Sequence, residues 1–194
     1  MNFKYHLETA WKMTLKFIAP LIFMTLVMFL LWFFTFGILA PVTMAGYMHS
    51  LLLMLRDGRE PKIQDLFSQM KLFLPLLGFS ILVFIATVIG FMLLVLPGIA
   101  ISLVISFCCL YMLPLMTDKE LGLFDAIKES FNMTTRGVFI DQVVILILFL
   151  GISAAGSAVF IGSLFTQPLA TIFLISVYEE KLKQPAHIQT QTKD

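Results

Sequence analysis

Two ionisable side chains lie inside otherwise uncharged apolar segments, and they are the residues whose types could do chemistry there. His49 lies seven residues before Arg56, and Asp141 lies five residues after Arg136. If these segments cross a membrane, both residues are functional candidates, since His and Asp relay protons or hold ions. Because both lie near the charged ends of their segments, pairing between helices or anchoring at the interface is the alternative interpretation.

The motifs of the common enzyme classes are absent from the sequence. It has no HExxH, no P-loop, no GxSxG and no cysteines at metal-ligand spacing. Cys108 and Cys109 are adjacent within an apolar run, and His6 and His187 lie near the chain ends, where we expect the least order. We therefore expect no enzymatic activity, no cofactor and no metal.

The composition is that of a membrane protein. Of 194 residues, 59% are hydrophobic and 13% charged, and uncharged runs extend over 17–55, 72–117 and 142–178. A bilayer span needs about 20 apolar residues, so each run holds two. The sequence predicts an all-α, polytopic membrane helix bundle with six transmembrane helices. A net charge of +1 argues against nucleic acid as a partner.

The positions of charges and turns predict the topology. Gly and Pro favour turns at 37–41, 96–98 and 162–168, inside the three apolar runs. Six spans arranged as three hairpins place all 13 Lys and Arg residues on one face, which the positive-inside rule assigns to the cytoplasm. Both termini are then cytoplasmic, with one membrane domain over 1–180 and a disordered tail over 181–194.

Short amphipathic helices are expected before each hairpin, lying in the cytoplasmic interface. Their apolar faces contain Phe3, Leu7, Ala10 and Trp11, then Ile63, Phe67 and Met70, then Phe124, Ile127 and Phe131. Aligning Trp11, Phe67 and Phe131 divides the chain into possible parallel repeats, 3–55, 62–116 and 121–178. Any chain of helical hairpins with cytoplasmic loops also looks periodic, which is the alternative.

The second span is the shortest. Residues 42–55 would extend only about 21 Å as a helix, so this segment borrows from the preceding turn, thins the bilayer or re-enters without crossing.

Small residues recur along one helical face in the third run, at Gly151, Ala155, Ala158 and Gly162. Close packing of helices is the usual role of such a stripe, and a ligand groove or an oligomer contact is the alternative.

Charged side chains that could contact partners lie in the cytoplasmic segments. They are Arg56, Arg59, Lys62, Lys128 and Arg136. Two functions fit these features. The first is a non-enzymatic membrane protein that engages membrane lipids or a protein partner, or assembles as a homo-oligomer. The second is a small transporter or channel that uses His49 and Asp141.

Residues 45–140 also resemble a known group of proteins. The segments LLLMLRDGREPKIQDLF, VLPGI and MLPLMTDKELGLFDAIKESFNMTTRG are similar to uncharacterised bacterial inner-membrane proteins. That group includes the YciC-like proteins and the membrane domain fused ahead of some glycerophosphodiester phosphodiesterases. The resemblance implies a six-helix bundle with short cytoplasmic helices in the bacterial inner membrane. It implies no catalytic residues, because the phosphodiesterase domain has no counterpart here.

Overall fold

The computed structural model describes residues 2–93, 95–135, 139–157 and 160–183. Within these ranges the chain is helical and has no strands, which confirms the all-α prediction. The α-helices are α1 (Phe3–Lys16), α2 (Ile18–Phe34), α3 (Ala40–Asp57), α4 (Phe73–Leu93), α5 (Val95–Cys108), α6 (Met112–Asp118), α7 (Leu123–Thr135), α8 (Phe139–Ser157) and α9 (Phe160–Lys183). Two short 3-10 turns, Ile63–Phe67 and Met70–Leu72, precede α4.

Two of the three predicted turns are wrong. A turn does separate α2 from α3, at residues 35–39, where Gly37 has a positive φ of 79°. Residues 96–98, however, lie in the first turns of α5, and residues 162–168 lie inside α9. A proline in the first turn costs little, because amides there have no helical partner. The Gly and Pro residues at 96–98 therefore did not mark the helix boundary.

Several helices are long and apolar enough to cross a membrane. In the described ranges two meet this condition, Ile63–Met92 and Val95–Asp118, and up to four do so if each bent pair counts as one span. In the bent pairs, α1 meets α2 at 89° and α7 meets α8 at 114°. These helices indicate a membrane protein.

The interior of the bundle is formed mainly by α3 and α9. Both have long buried stretches, including Tyr47, Leu51, Phe173 and Tyr178. In contrast, only 6% of the apolar window in Ile63–Met92 is buried. An apolar surface this large needs a nonpolar solvent, so most of α4 faces away from the protein core.

Each short element packs on a helix that belongs to another part of the chain. Helix α1 contacts α9, the 3-10 turn Ile63–Phe67 contacts α3, and α7 contacts both α5 and α6. A serine hydroxyl joins each pair of elements. These hydrogen bonds are His6 to Ser176 at 2.7 Å, Ser50 to Asp65 at 2.7 Å, and Ser130 to the carbonyl of Cys108 at 2.7 Å. The contact between His6 and Ser176 joins residues 170 positions apart, whereas the other two join residues 15 and 22 positions apart.

The contact between α3 and the 3-10 turn depends on Gly46. A Cβ atom at this position would lie closer than 3.0 Å to the backbone carbonyl oxygens of both Asp65 and Leu66. Backbone atoms cannot move aside as the end of a side chain can. Gly46 therefore lets the two backbones approach directly.

We predict that Gly46→Ala destabilises the fold by about 1–3 kcal/mol, because the added methyl group overpacks this contact. The matched control is Gly78→Ala in α4, where a Cβ meets nothing within 4 Å. Gly78→Ala should leave stability unchanged or raise it by up to about 1 kcal/mol through helix propensity. Thermal unfolding in mild detergent, followed with a dye that reacts with Cys108 and Cys109, measures both. Equal melting temperatures for the two variants would contradict the prediction.

Candidate functional site

Four polar residues, Arg56, Asp118, Tyr178 and Glu179, form a hydrogen-bonded group that we call the charged junction. Arg56 ends α3, Asp118 ends α6, and Tyr178 and Glu179 lie near the end of α9. The Arg56 guanidinium donates to both carboxylate oxygens of Asp118, with Nη2 to Oδ2 at 2.9 Å, and its Nε donates to Glu179 at 2.7 Å. The Tyr178 hydroxyl donates to Asp118 Oδ2 at 2.9 Å.

The charge of Asp118 is stabilised by this geometry. Asp118 follows the apolar run 72–117 and is mostly shielded from solvent. Burial alone would raise its pKa, but the hydrogen bonds from Arg56 and Tyr178 outweigh burial and hold the pKa below its usual value. Bidentate pairing of a guanidinium with a carboxylate also fixes the relative orientation of the two helix ends.

Arg59 forms a second ion pair inside the protein. Its guanidinium pairs with Asp65, which also accepts hydrogen bonds from the Ser50 hydroxyl at 2.7 Å and from the backbone amide of Lys62 at 3.1 Å. Arg59 and Asp65 therefore stabilise the loop between α3 and the 3-10 turns.

Lys181, beyond the apolar part of α9, is held by the chain on two sides. Its ammonium group donates to the carbonyl of Met133 and lies 5.0 Å from the centre of the Tyr111 ring. Burial lowers the pKa of Lys181 to about 8, while the negative charge of Asp141 opposes that shift. Lys181 thus joins α9 to α7 and to the residues that precede α6.

His6 was not selected from the sequence, because its position near the N-terminus suggested disorder. In the structure its side chain is buried, with Nδ1 at 2.7 Å from the Ser176 hydroxyl and Nε2 at 2.6 Å from Glu180. The spacing of His6, Ala10 and Thr14, four residues apart, forms the buried face of α1. That periodicity was available in the sequence as a signal.

The two ionisable candidates lie in different surroundings. His49 is partly buried in α3, and its Nδ1 has no hydrogen-bond partner. Its charged neighbours are Asp118, Asp65, Arg59 and Lys71. Asp141 lies in the first turn of α8 and acts electrostatically on Lys181.

The remaining predicted residues are distributed as follows. Arg56 and Arg59 pair with carboxylates of the same chain, as described above, and Arg56, Lys62 and Lys128 are exposed. Gly151 and Ala155 are also exposed, and the close contact between α8 and α9 instead joins Gly156 to Gly162. Arg136 and Ala158 lie outside the described residues. The tail predicted from residue 181 begins inside α9, and residues 184–194 lie outside the described residues.

The three aligned aromatic residues occupy equivalent surroundings. Trp11, Phe67 and Phe131 are 50%, 40% and 47% exposed. The residue before each one is fully buried, and these residues are Ala10, Leu66 and Ser130. Each short element therefore has one face against the protein and an adjacent face that presents an aromatic ring to its surroundings.

No group of His, Cys, Asp or Glu residues suited to holding a metal ion occurs in the part of the chain that the structure describes. Comparison with protein-family models, with curated proteins and with solved structures found no match to this chain.

We predict that Asp118→Asn destabilises the protein at pH 7 by about 2 kcal/mol, since hydrogen bonds to a charged group are lost. The pKa of Asp118 is lower in the folded state than in the unfolded state. The ionised carboxylate therefore contributes fully to the free energy of unfolding above about pH 3.9, and this contribution is lost as the pH falls through the folded-state pKa. The difference in melting temperature between wild type and variant should therefore shrink below pH 4.

The control for this variant is Glu120→Gln, which removes the same charge from the exposed pair of Lys71 and Glu120. An exposed pair contributes little, so this substitution should leave the melting temperature unchanged. A difference between wild type and Asp118→Asn that stays constant from pH 7 to pH 3 would refute the assigned role of the carboxylate.

Proposed function

We propose that this chain is a multi-pass protein of the bacterial inner membrane, with six spans in three hairpins and both termini in the cytoplasm. The charge distribution supports this topology, because no Lys or Arg occurs in the segments that link the two halves of each apolar run. The turn at residues 35–39 supports it too, since Phe33 and Phe34 just before it and Phe36 within it are exposed, Phe36 to 96%. Exposed apolar side chains grouped in this way suit contact with a membrane better than contact with water alone.

The three hairpins and their short elements form three parallel units around an axis along the membrane normal. Contacts between elements support this arrangement, because each short element packs on the last helical segment of another unit: α1 on α9, the 3-10 turn on α3, and α7 on α5 and α6. The units therefore interlock in a closed ring. The charged junction supports it further, since its three charged residues, Arg56, Asp118 and Glu179, each lie one or two residues beyond the end of a different unit.

The function that fits best is a non-enzymatic role in which the short elements engage membrane lipids at the cytoplasmic leaflet. The observation that carries this proposal is the equivalent exposure of Trp11, Phe67 and Phe131 beside buried residues. Amphipathic elements of this kind bind the interface with their apolar face. Arg56 and Arg59 pair within the protein, which leaves fewer charged groups for recognition of a protein partner.

The topology predicts opposite labelling of two introduced cysteines. In a background where Ser replaces Cys108 and Cys109, Phe36→Cys should react with a membrane-impermeant maleimide from outside intact cells. Lys119→Cys should react only after the membrane is permeabilised, because the loop after α6 is cytoplasmic. Reaction of both cysteines from the same side would exclude the proposed threading.

The lipid-facing role of α1 predicts that lipids quench the fluorescence of Trp11. Trp32→Phe leaves Trp11 as the only tryptophan of the chain. In vesicles whose acyl chains carry bromine, its emission should fall strongly, because bromine quenches on contact. Unchanged emission in brominated vesicles, together with strong quenching by aqueous acrylamide, would place α1 in water and contradict the proposal.

A transporter or channel is the second candidate, and buried polar atoms without partners favour it. His49 Nδ1 and Gln69 Oε1 are two such atoms, on α3 and on the turn next to the 3-10 segments that pack against it. This candidate predicts that vesicles containing the protein dissipate a pH gradient and that His49→Ala or Asp141→Asn abolishes the leak. His187→Ala is the control. A gradient that decays equally in empty vesicles excludes this function.

A further inference from the structure

An open groove of about 440 Å³ runs between α1 and α9. Its lining has three apolar residues, which we call the floor, and three charged residues, which we call the rim. The floor residues are Leu7, Trp11 and Leu169, and the rim residues are Lys4, Glu8 and Lys12. Leu169 is distant from α1 in the sequence, so the spacing of residues in α1 does not by itself predict this groove.

The direction of the groove follows from the contacts of α1. Near its start, His6 lies against Ser176 and Glu180, in the charged end of α9. One and a half turns later, the Trp11 ring meets the Phe165 ring edge to face, with centroids 5.6 Å apart. Helix α1 therefore runs from the charged end of α9 toward its apolar part, and the groove connects these two environments.

The charges on the rim favour an anionic ligand group. Lys4 lies 3.9 Å from Glu8, which offsets one positive charge, and Lys12 adds a second. Along its whole length α1 has three lysines, Lys4, Lys12 and Lys16, against the single acid Glu8. A headgroup with a net negative charge would be attracted to this rim by its positive excess, and a headgroup with no net charge would be attracted much less.

We propose that this groove binds an anionic phospholipid, with an acyl chain along Leu7, Trp11 and Leu169 and the phosphate beside Lys4 and Lys12. An apolar floor continuous with a cationic rim matches the two parts of such a molecule. This inference rests on the proposed lipid-engaging function and adds to it a specific site and a headgroup preference.

The test uses the full-length Trp32→Phe chain in vesicles of neutral phosphatidylcholine that contain a small fraction of one brominated lipid. Brominated phosphatidylglycerol should quench Trp11 more strongly than brominated phosphatidylcholine at the same fraction, with an apparent affinity about fivefold higher. Lys4→Gln with Lys12→Gln should remove this preference while quenching by phosphatidylcholine persists. The control Lys128→Gln changes an exposed lysine on α7 and should keep the preference.

The outcomes separate this site from the general function. Equal quenching by the two brominated lipids in the unsubstituted groove would overturn the headgroup preference while leaving α1 in the membrane. Equal loss of the preference in Lys128→Gln would assign it to overall surface charge and also overturn the site. The two brominated lipids are compared with the Trp32→Phe chain that keeps Lys4 and Lys12. This comparison tests the proposal even if the double lysine variant does not fold.

Discussion

The pairing of one guanidinium with two carboxylates holds together the ends of three helices. Arg56, near the end of α3, pairs with Asp118 at the end of α6 and with Glu179 near the end of α9. Charges that are partly removed from water are costly unless they are paired and hydrogen-bonded, and here each group is. Because α3 and α9 also form most of the interior, the position of the whole core depends on this junction. Ion pairs of this kind fix geometry more than they add net stability.

A second constraint is the close approach of backbones where small residues occur. Gly46 lets the 3-10 turn lie directly on α3, and Gly156 with Gly162 lets α8 and α9 cross closely. At such positions the backbones come into direct van der Waals contact, and close packing of this kind drives helix association where no hydrophobic effect operates. At the three contacts between short elements and helices, hydrogen bonds are formed by the hydroxyls of Ser50, Ser130 and Ser176.

The sequence predicted features that depend on local periodicity and missed those that depend on distant partners. The helical class follows from composition, and the placement of Trp11, Phe67 and Phe131 on short elements before apolar helices follows from spacings of three and four residues. The element that contains Phe67 is formed by 3-10 turns and not by the predicted amphipathic α-helix. Arg56, in contrast, was interpreted as an interaction residue because its partners lie 62 and 123 positions away. Gly46 was overlooked for the same reason, and His6 was not selected because its position near the N-terminus suggested disorder. Pro97 was misplaced in a turn because proline is equally suited to the first turn of a helix.

The arrangement of charges also limits what the outer surface can recognise. The arginines in the described residues, Arg56 and Arg59, form internal pairs, and Lys181 is directed at a carbonyl and a ring. Exposed lysines remain on the short elements, next to exposed aromatic rings. Recognition of charged groups on a protein partner would need rigid, directional hydrogen-bond donors, and arginine provides these better than lysine. A lysine ammonium group on a flexible side chain, beside an apolar face, suits an amphipathic ligand such as a lipid. On this basis we propose lipid, and not protein, as the neighbour of these elements.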